Sequence, residues 1–338
     1  MTSPASPANP PVLLFDRSTR LTMQFTGPKA AESLTGLVTN DVLSLTGGDG
    51  QYACALTPKG RIIADVRILA IAADDGTVQS LLVDTNAEAG IGFAAMIRKY
   101  VNPRLAKYVD VSEATACLTL VGSATRHLLQ SLGAAEATLS EVADGPAFTH
   151  RPIQIGDIPA RLVQVPDLDS SDVFDLRCDH AVVAMLHETL VSAGAIAADA
   201  TEWHRRRVAA GRPEWGADMD ESTLAQEANM DALHAISYKK GCYTGQETVA
   251  RVHFRGHVNR TIRRVRFVDG LVPPHGTPLL GAEAATVGES RSTAIDDAGQ
   301  HVGIAMIRRE VPASGELSWV GGDGRAHSLV VIGAADDS

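Results

Sequence analysis

The chain has 338 residues, 45% of them hydrophobic, and its 30 Lys plus Arg against 40 Asp plus Glu leave a formal charge of −10. That length supports about two or three compact units and excludes wholesale disorder. The acidic balance gives no global reason to coat nucleic acid or an anionic membrane, and no apolar run reaches the roughly 20 residues that span a bilayer.

In chain order, the opening holds Pro4, Pro7, Pro10 and Pro11 but neither a basic nor an apolar segment. It reads as a disordered tail over residues 1–11, not a signal peptide, and a cytoplasmic location is expected. Residues 21–25 alternate as a strand, and Gly27-Pro28 opens a helix with Ala31, Leu34 and Leu37 at helical spacing. Residues 52–56 and 61–69 flank Thr57-Pro58-Lys59-Gly60, whose proline and glycine suit a hairpin turn. Residues 81–83 form a further strand, and 86–100 a helix that ends before Pro103.

Residues 116–193 read as strand, helix (123–132), hairpin around Gly156-Asp157, strand and helix (180–192), a ferredoxin-like order. Asp199, with Glu202 three residues on, caps a helix that ends at Gly211 before Pro213. From residue 258 onward, short Val- and Ile-containing runs alternate with Gly and Pro turns, as in a small antiparallel barrel. A boundary near residue 258 follows.

The sharpest local signal is Lys239-Lys240-Gly241-Cys242-Tyr243-Thr244-Gly245-Gln246-Glu247. Thr244 and Glu247 have capping-box spacing, so a helix starting there would turn its positive end toward Cys242, and Lys240 adds a second charge. Both would favour thiolate over thiol. The bland alternative is a loop cysteine beside a solvated lysine pair. Cys54, Cys117 and Cys178 lie in or at the end of apolar strand patterns and read as core residues.

Lys239, Lys240, Arg251, Arg255, Arg260, Arg263, Arg264 and Arg266 face one acid, Glu247, and form a basic island. The island suits a carboxylate-rich molecule, an acidic protein face or RNA phosphate, or is a solvated strand face. His253 and His257 are four apart, but Gly256 and a strand-like alternation argue against a metal site. Trp203, among Arg205, Arg206 and Arg207, is either a core anchor or a platform for a planar ligand. Signatures for dinucleotides, nucleoside triphosphates, serine hydrolases and zincins are absent.

KGCYTGQE followed by ARVHFRG resembles the signature of the YgfZ-type folate-binding proteins, relatives of the glycine cleavage T-protein, an aminomethyltransferase. FTGPKAAESLTGLVTNDV, ALTPKGRIIADVRIL and RRRVAAGRPEWGADMDEST fall in the family's order. The resemblance implies an α+β fold: two ferredoxin-like domains and a C-terminal antiparallel β-barrel around a central folate-binding opening. The domains would be 12–115 with a return at 196–257, then 116–195, then 258–335. It also implies tetrahydrofolate or a one-carbon derivative as cofactor and iron–sulfur proteins or assembly factors as partners; a monomer is expected and, from run lengths and charge, no membrane or nucleic-acid partner.

Carried over by position, Cys242 and Lys240 match the family's cysteine and lysine, and Trp203 a folate-binding tryptophan. Tyr243, Gln246, Glu247 and Arg251, within the signature, join Trp203 and Asp65 as candidate folate contacts. The family's Asp pair is here Ala64-Asp65, and its LEAG string is Val208-Ala209-Ala210-Gly211, without the pterin-gripping Glu. Arg20 stands where some members have a second Trp.

The first expectation is a folate-binding accessory factor for iron–sulfur cluster assembly or repair, with Cys242 as a thiolate tuned by Lys240. The second is a tetrahydrofolate-dependent aminomethyl or one-carbon transferase in which Asp65 positions or deprotonates a nitrogen. The third is an interaction module that uses the basic island.

Overall fold

The structure, a computed structural model, describes residues 11–168 and 172–332. The expected tail lies, but for residue 11, outside the described residues. In chain order the elements are β1 (Leu13–Asp16), β2 (Leu21–Thr26), α1 (Ala30–Thr35), β3 (Gly50–Leu56), β4 (Ile62–Ala72), β5 (Val78–Thr85), α2 (Ala87–Tyr100) and β6 (Lys107–Asp110). Next come β7 (Thr115–Val121), α3 (Thr125–Ser131), α4 (Glu136–Ala143), β8 (His150–Ile155), β9 (Ile158–Gln164), β10 (Val173–Asp179), α5 (Val183–Ser192), β11 (Ile196–Ala198) and α6 (Ala200–Ala209). The last are α7 (Gln246–Arg255), β12 (Arg260–Phe267), β13 (Pro278–Leu280), β14 (Thr286–Ile295), β15 (His301–Arg308), β16 (Glu316–Val320) and β17 (Ala326–Ile332).

They build an α+β molecule. An antiparallel sheet in the order β3-β4-β5-β2-β6 covers one face with α1 and α2. A second sheet, β11-β1-β7-β10-β9-β8, does the same with α3, α4 and α5. The six strands from β12 to β17 close into an antiparallel barrel with its own apolar interior. The other faces of the two sheets meet the 208–249 segment and the outer side of the barrel in a further core, which holds Phe15, Tyr52, Leu56, Val163, Val208, Met230, Ile262 and Ile304.

Three differences from the sequence reading concern placement. Residues 13–16, grouped by sequence with the first unit, pair with β7 and β11 in the second sheet; a four-residue strand carries no local mark of which sheet it joins. The helix α4 stands between α3 and the β8–β9 hairpin, where only a hairpin was read. The helix expected to open at Thr244 begins at Gln246 and runs to Arg255 as α7, so His253, read with His257 as part of a strand-like alternation, is helical.

The two sheets are fastened to one another through Arg67 of β4, which is 3% exposed. Its Nε donates to Asp84 Oδ1 of β5 at 2.9 Å, and its Nη1 donates at 2.9 Å to Asp175 Oδ2 of β10, 108 residues away in sequence. Asp175 also accepts from Thr119 of β7 at 2.6 Å, and Nη1 lies 3.5 Å from Asp167. Around them, Arg20 and Arg177 pair with Asp84, while Arg17 and Arg212 pair with Asp167. Burial pushes the Asp84 carboxyl up, but Arg177, Arg67 and Arg20 hold it well below the ordinary carboxylate range; Arg17, Arg67 and Arg212 do the same for Asp167.

Replacing Arg67 by Met leaves buried carboxylates without their central cation and is expected to remove about 3–5 kcal/mol, read as a lower urea midpoint at pH 7. The same network sets an acid limit. Carboxyls with lowered native pKa values stabilise above the unfolded value of about 3.9, and that contribution is lost as pH falls below it. The wild-type urea midpoint is therefore expected to drop steeply below about pH 4; in Arg67→Met, where the lowering is weaker, the drop is shallower. Equal pH profiles would contradict the assignment.

Candidate functional site

Beside this network the two sheet units and the 203–215 segment enclose a recess. Alternation along β4 places Ala64, Val66 and Ile68 in the helix-covered core and turns Asp65 and Arg67 to the other face. Cys54 and Tyr52 on β3 lie opposite Asp65 and Arg67. The Tyr52 hydroxyl donates to Asp65 Oδ2 at 2.7 Å. Burial, and then the Asp65 charge, hold the Tyr52 phenol well above its ordinary pKa, so it stays a donor.

Asp199 caps α6, accepting from the Glu202 amide at 2.9 Å, while Glu202 turns outward to Arg205 and Arg206. One turn in, Trp203 faces the recess. The Arg17 guanidinium lies 4.0 Å over its ring, and Phe15 meets it edge-on at 5.3 Å. Beyond α6, Trp215 completes the wall. Arg207, 1% exposed, fixes this segment: it donates to Asp218 Oδ2 at 2.5 Å and to Ser292 Oγ of β14 at 3.0 Å, and pairs with Glu214 at 2.8 Å.

Asp65, Tyr52, Trp203, Trp215, Asn86 and Glu214 thus line one recess with Arg17, Arg20, Arg67, Arg207 and Arg212. Six of these residues, Arg17, Arg20, Asn86, Trp203, Glu214 and Trp215, also line a contiguous cleft of about 520 Å³. Four buried polar atoms on the recess residues have no hydrogen-bond partner; Arg67 Nη2 and Arg207 Nε are ion-paired at 2.8 Å to Asp84 and Glu214, which leaves Asp65 Oδ1, an acceptor, and Trp215 Nε1, a donor. Buried polar groups are ordinarily paired, so an orphan acceptor and an orphan donor on one recess suit a ligand with a polar, planar edge.

The structure therefore brings Asp65 and Trp203 to one recess, and no residue of the signature string lines it. Cys242 is exposed and is not among the residues that line the recess or the cleft. The expected capping box does not form: α7 begins at Gln246, its cap is Gly245 at φ 87°, and no side chain caps it. Gly245 is pressed onto the β3–β4 turn, where an added Cβ would stand 2.6 Å from the Thr57 carbonyl oxygen, and this contact sets the helix start.

Lys240 is a fastening, not a charge held beside the thiol. Its ammonium donates to the carbonyls of Thr35, Val38 at 2.6 Å and Asn40 at 2.8 Å, which uses all three of its hydrogens on the segment after α1. Burial pulls its pKa down to about 8. Tyr243 is core, with that ammonium 4.8 Å from its ring centre. Gln246 is half-buried, Glu247 and Arg251 are exposed on α7, and none of the three lines the recess or the cleft. Ala209 lines a separate hollow with Arg205 and Arg206.

Sequence reasoning missed Trp215, Tyr52, Arg17, Asn86 and Glu214. Trp215 had a usable signal: a rare aromatic in a Pro- and Gly-bounded turn close after Trp203. Arg20 had been marked as standing in for a second Trp; here the second indole comes from Trp215, and Arg20 pairs with Asp84.

The GCVT N-terminal domain family model matches residues 8–240. The chain belongs to this family. Within it the chain is YgfZ-type: it is 28% identical over 277 residues to the tRNA-modifying protein YgfZ of Serratia proteamaculans, covering 80% of this chain and 76% of that one. It is 27% identical over 260 residues to the mitochondrial iron–sulfur cluster assembly factor IBA57 homolog of Mycosarcoma maydis, covering 75% of this GCVT-family chain but 56% of that protein's length. Among solved structures, the glycine cleavage system aminomethyltransferase T of Bartonella henselae superposes with a TM-score of 0.83 at 16% identity, over 97% of this chain and 86% of that one. The fold is shared.

Of the four cysteines, Cys54, Cys117 and Cys178 are buried, and burial pushes the Cys117 thiol up to about 12 and Cys178 up to about 11. A thiol-reactive dye at neutral pH is expected to label one equivalent rapidly in the native protein, lost in Cys242→Ser, and four after denaturation. More than one fast equivalent would contradict the placement.

Proposed function

We propose that this GCVT-family chain binds a reduced folate, tetrahydrofolate or a one-carbon derivative, in the Asp65–Trp203–Trp215 recess and the cleft contiguous with it, and serves as an accessory factor in iron–sulfur cluster assembly or repair. The observation that carries the reading is the unpaired Asp65 Oδ1 and Trp215 Nε1 on a recess that also presents two indoles. A pterin offers what these residues lack: N–H groups for a carboxylate, an acceptor for an indole N–H, and a flat ring to stack.

Asp65, oriented by Tyr52, would accept from the ring, and Trp203 and Trp215 would flank it. Arg17 and Arg20 line the cleft at the edge of a network in which, among the described residues, Arg17, Arg20, Arg67, Arg177 and Arg212 share only Asp84, Asp167 and Asp175, an excess of positive charge that suits a carboxylate tail. The absence of a Glu at Ala209 does not empty the cleft of carboxylates, since Glu214 lines both recess and cleft. A bound folate supplies a carrier for one-carbon groups. Cys242 would act toward a partner protein, since it lies on the exposed loop before α7. The name of the Mycosarcoma relative, an iron–sulfur cluster assembly factor, supports the accessory side of this reading.

A second reading, one-carbon transfer, rests on Asp65 itself, whose free oxygen could take a proton from a substrate nitrogen. Steady turnover of an aminomethyl donor with tetrahydrofolate, abolished by Asp65→Asn, would favour it over the accessory role.

Titration of tetrahydrofolate, followed by tryptophan fluorescence, is expected to saturate. Asp65→Ala should raise the Kd by roughly 10- to 100-fold, as for loss of a hydrogen bond to a charged group, and Trp203→Phe should lose most of the fluorescence change. No saturation, or an unchanged Kd in Asp65→Ala, would refute folate binding at this cleft. In a deletion host, Cys242→Ser should lower iron–sulfur enzyme activity although the purified variant still binds tetrahydrofolate; full complementation would remove the thiol from the account.

A further inference from the structure

The outer face of α7 carries a feature that the cleft does not use. Glu247, Arg251, Phe254 and Arg255 recur at helical spacing, and all four are exposed. Phe254 is 67% exposed, yet its ring is held. His253 meets it edge-on with centroids 4.7 Å apart, and Tyr238 does so at 6.1 Å. His253 itself stacks on Tyr238 at 3.6 Å, and the Tyr238 hydroxyl donates to Asp231. An exposed aromatic already braced by its neighbours loses little freedom when it is covered, which is the property of an interface anchor.

The cations around it are uncommitted. Arg251, Arg255 and Lys239, the neighbour of Tyr238, make no hydrogen bond or ion pair with any described residue. Elsewhere arginines of this protein are spent on partners: Arg17, Arg20, Arg67, Arg177, Arg207 and Arg212 are all ion-paired. A chain of net charge −10 that leaves a braced phenylalanine among three free cations presents a local surface complementary to an acidic one.

We propose that this α7 face docks an acidic partner protein, with carboxylates opposite Arg251, Arg255 and Lys239 and an apolar hollow that receives Phe254. A protein is favoured over RNA because the patch is small and centred on an aromatic, while a polyanion running beyond it would meet the acidic remainder of the chain. The segment of Tyr238 continues to Cys242, so a docked partner sits beside the exposed thiol's loop. The inference stands whether or not the cleft binds folate.

A photo-crosslinking phenylalanine analogue placed at position 254 of the full chain in its host cells tests this, with the same analogue at Ile91, an exposed position on α2, as control. The expected product is a protein crosslink specific to position 254, mapped to a peptide rich in Asp and Glu, and reduced at least tenfold by Arg251→Glu with Arg255→Glu in a chain whose Tm is unchanged. With the purified pair, the same reversal should weaken binding at least tenfold, and a reciprocal Asp or Glu→Lys change in the mapped partner should restore it. A nuclease-sensitive crosslink, a crosslink to a second copy of this chain, equal products at Ile91, indifference to charge reversal, or no rescue would each overturn the proposal.

Discussion

A guanidinium buried between two sheets is the constraint on which the rest of the molecule depends. Arg67 is charged and almost wholly removed from water, and it remains so because Asp84, Asp167 and Asp175 approach it from both sheets. Two helix-backed sheets could meet at many angles with similar apolar burial. The arrangement that satisfies this one cation is far more restricted, because three carboxylates from separate chain segments must converge. The flanking arginines then have to be placed, and Arg17 and Arg20 end up at the mouth of the recess, while Arg212 lies 4.6 Å over the ring of Tyr52.

The candidate site is a consequence of that fastening. Asp65 is two residues from Arg67 on the same strand face, so whatever fixes Arg67 fixes Asp65. Arg17 is shared between Asp167 and the ring of Trp203, which couples the network to the indole. Arg207 repeats the device at the barrel, where Asp218, Glu214 and Ser292 fasten α6 and the Trp215 turn to β14. The recess is built of side chains held from behind, the condition for precise recognition of a small planar ligand.

Much of the fold was legible because it is written in local patterns. The hairpin about Thr57-Pro58-Lys59-Gly60, the Asp199 cap of α6 and the turn-rich barrel strands each have a short-range cause, and the structure has each of them. The candidate site was legible at Trp203, a rare aromatic among arginines that carried its own mark, and at Asp65 only through the family resemblance. Arg17, Arg20 and Tyr52 act through partners distant in sequence, and no window on the chain announces such a pairing. The setting read for Cys242 differs in the structure for the opposite reason: every feature counted toward it was local. Thr244 and Glu247 have the spacing of a capping box, but the packing of Gly245 on the Thr57 turn starts the helix without one. Lys240 is adjacent in sequence to a motif cysteine, but its ammonium is spent on three carbonyls. A charge count along the chain cannot tell an ammonium that faces a thiol from one that faces backbone.

On the reading proposed, recognition and interaction are divided between two surfaces: a recess of paired arginines, orphan polar atoms and indoles, and a face on and beside α7 of unpaired cations about a braced phenylalanine. The central claim is that the first of these is a reduced-folate site. A crystal structure of the protein grown with tetrahydrofolate under anaerobic conditions tests it most directly. The account predicts density for the pterin against Trp203, with its polar edge on Asp65 and Trp215; density at another place, or an empty cleft at saturating ligand, would contradict it.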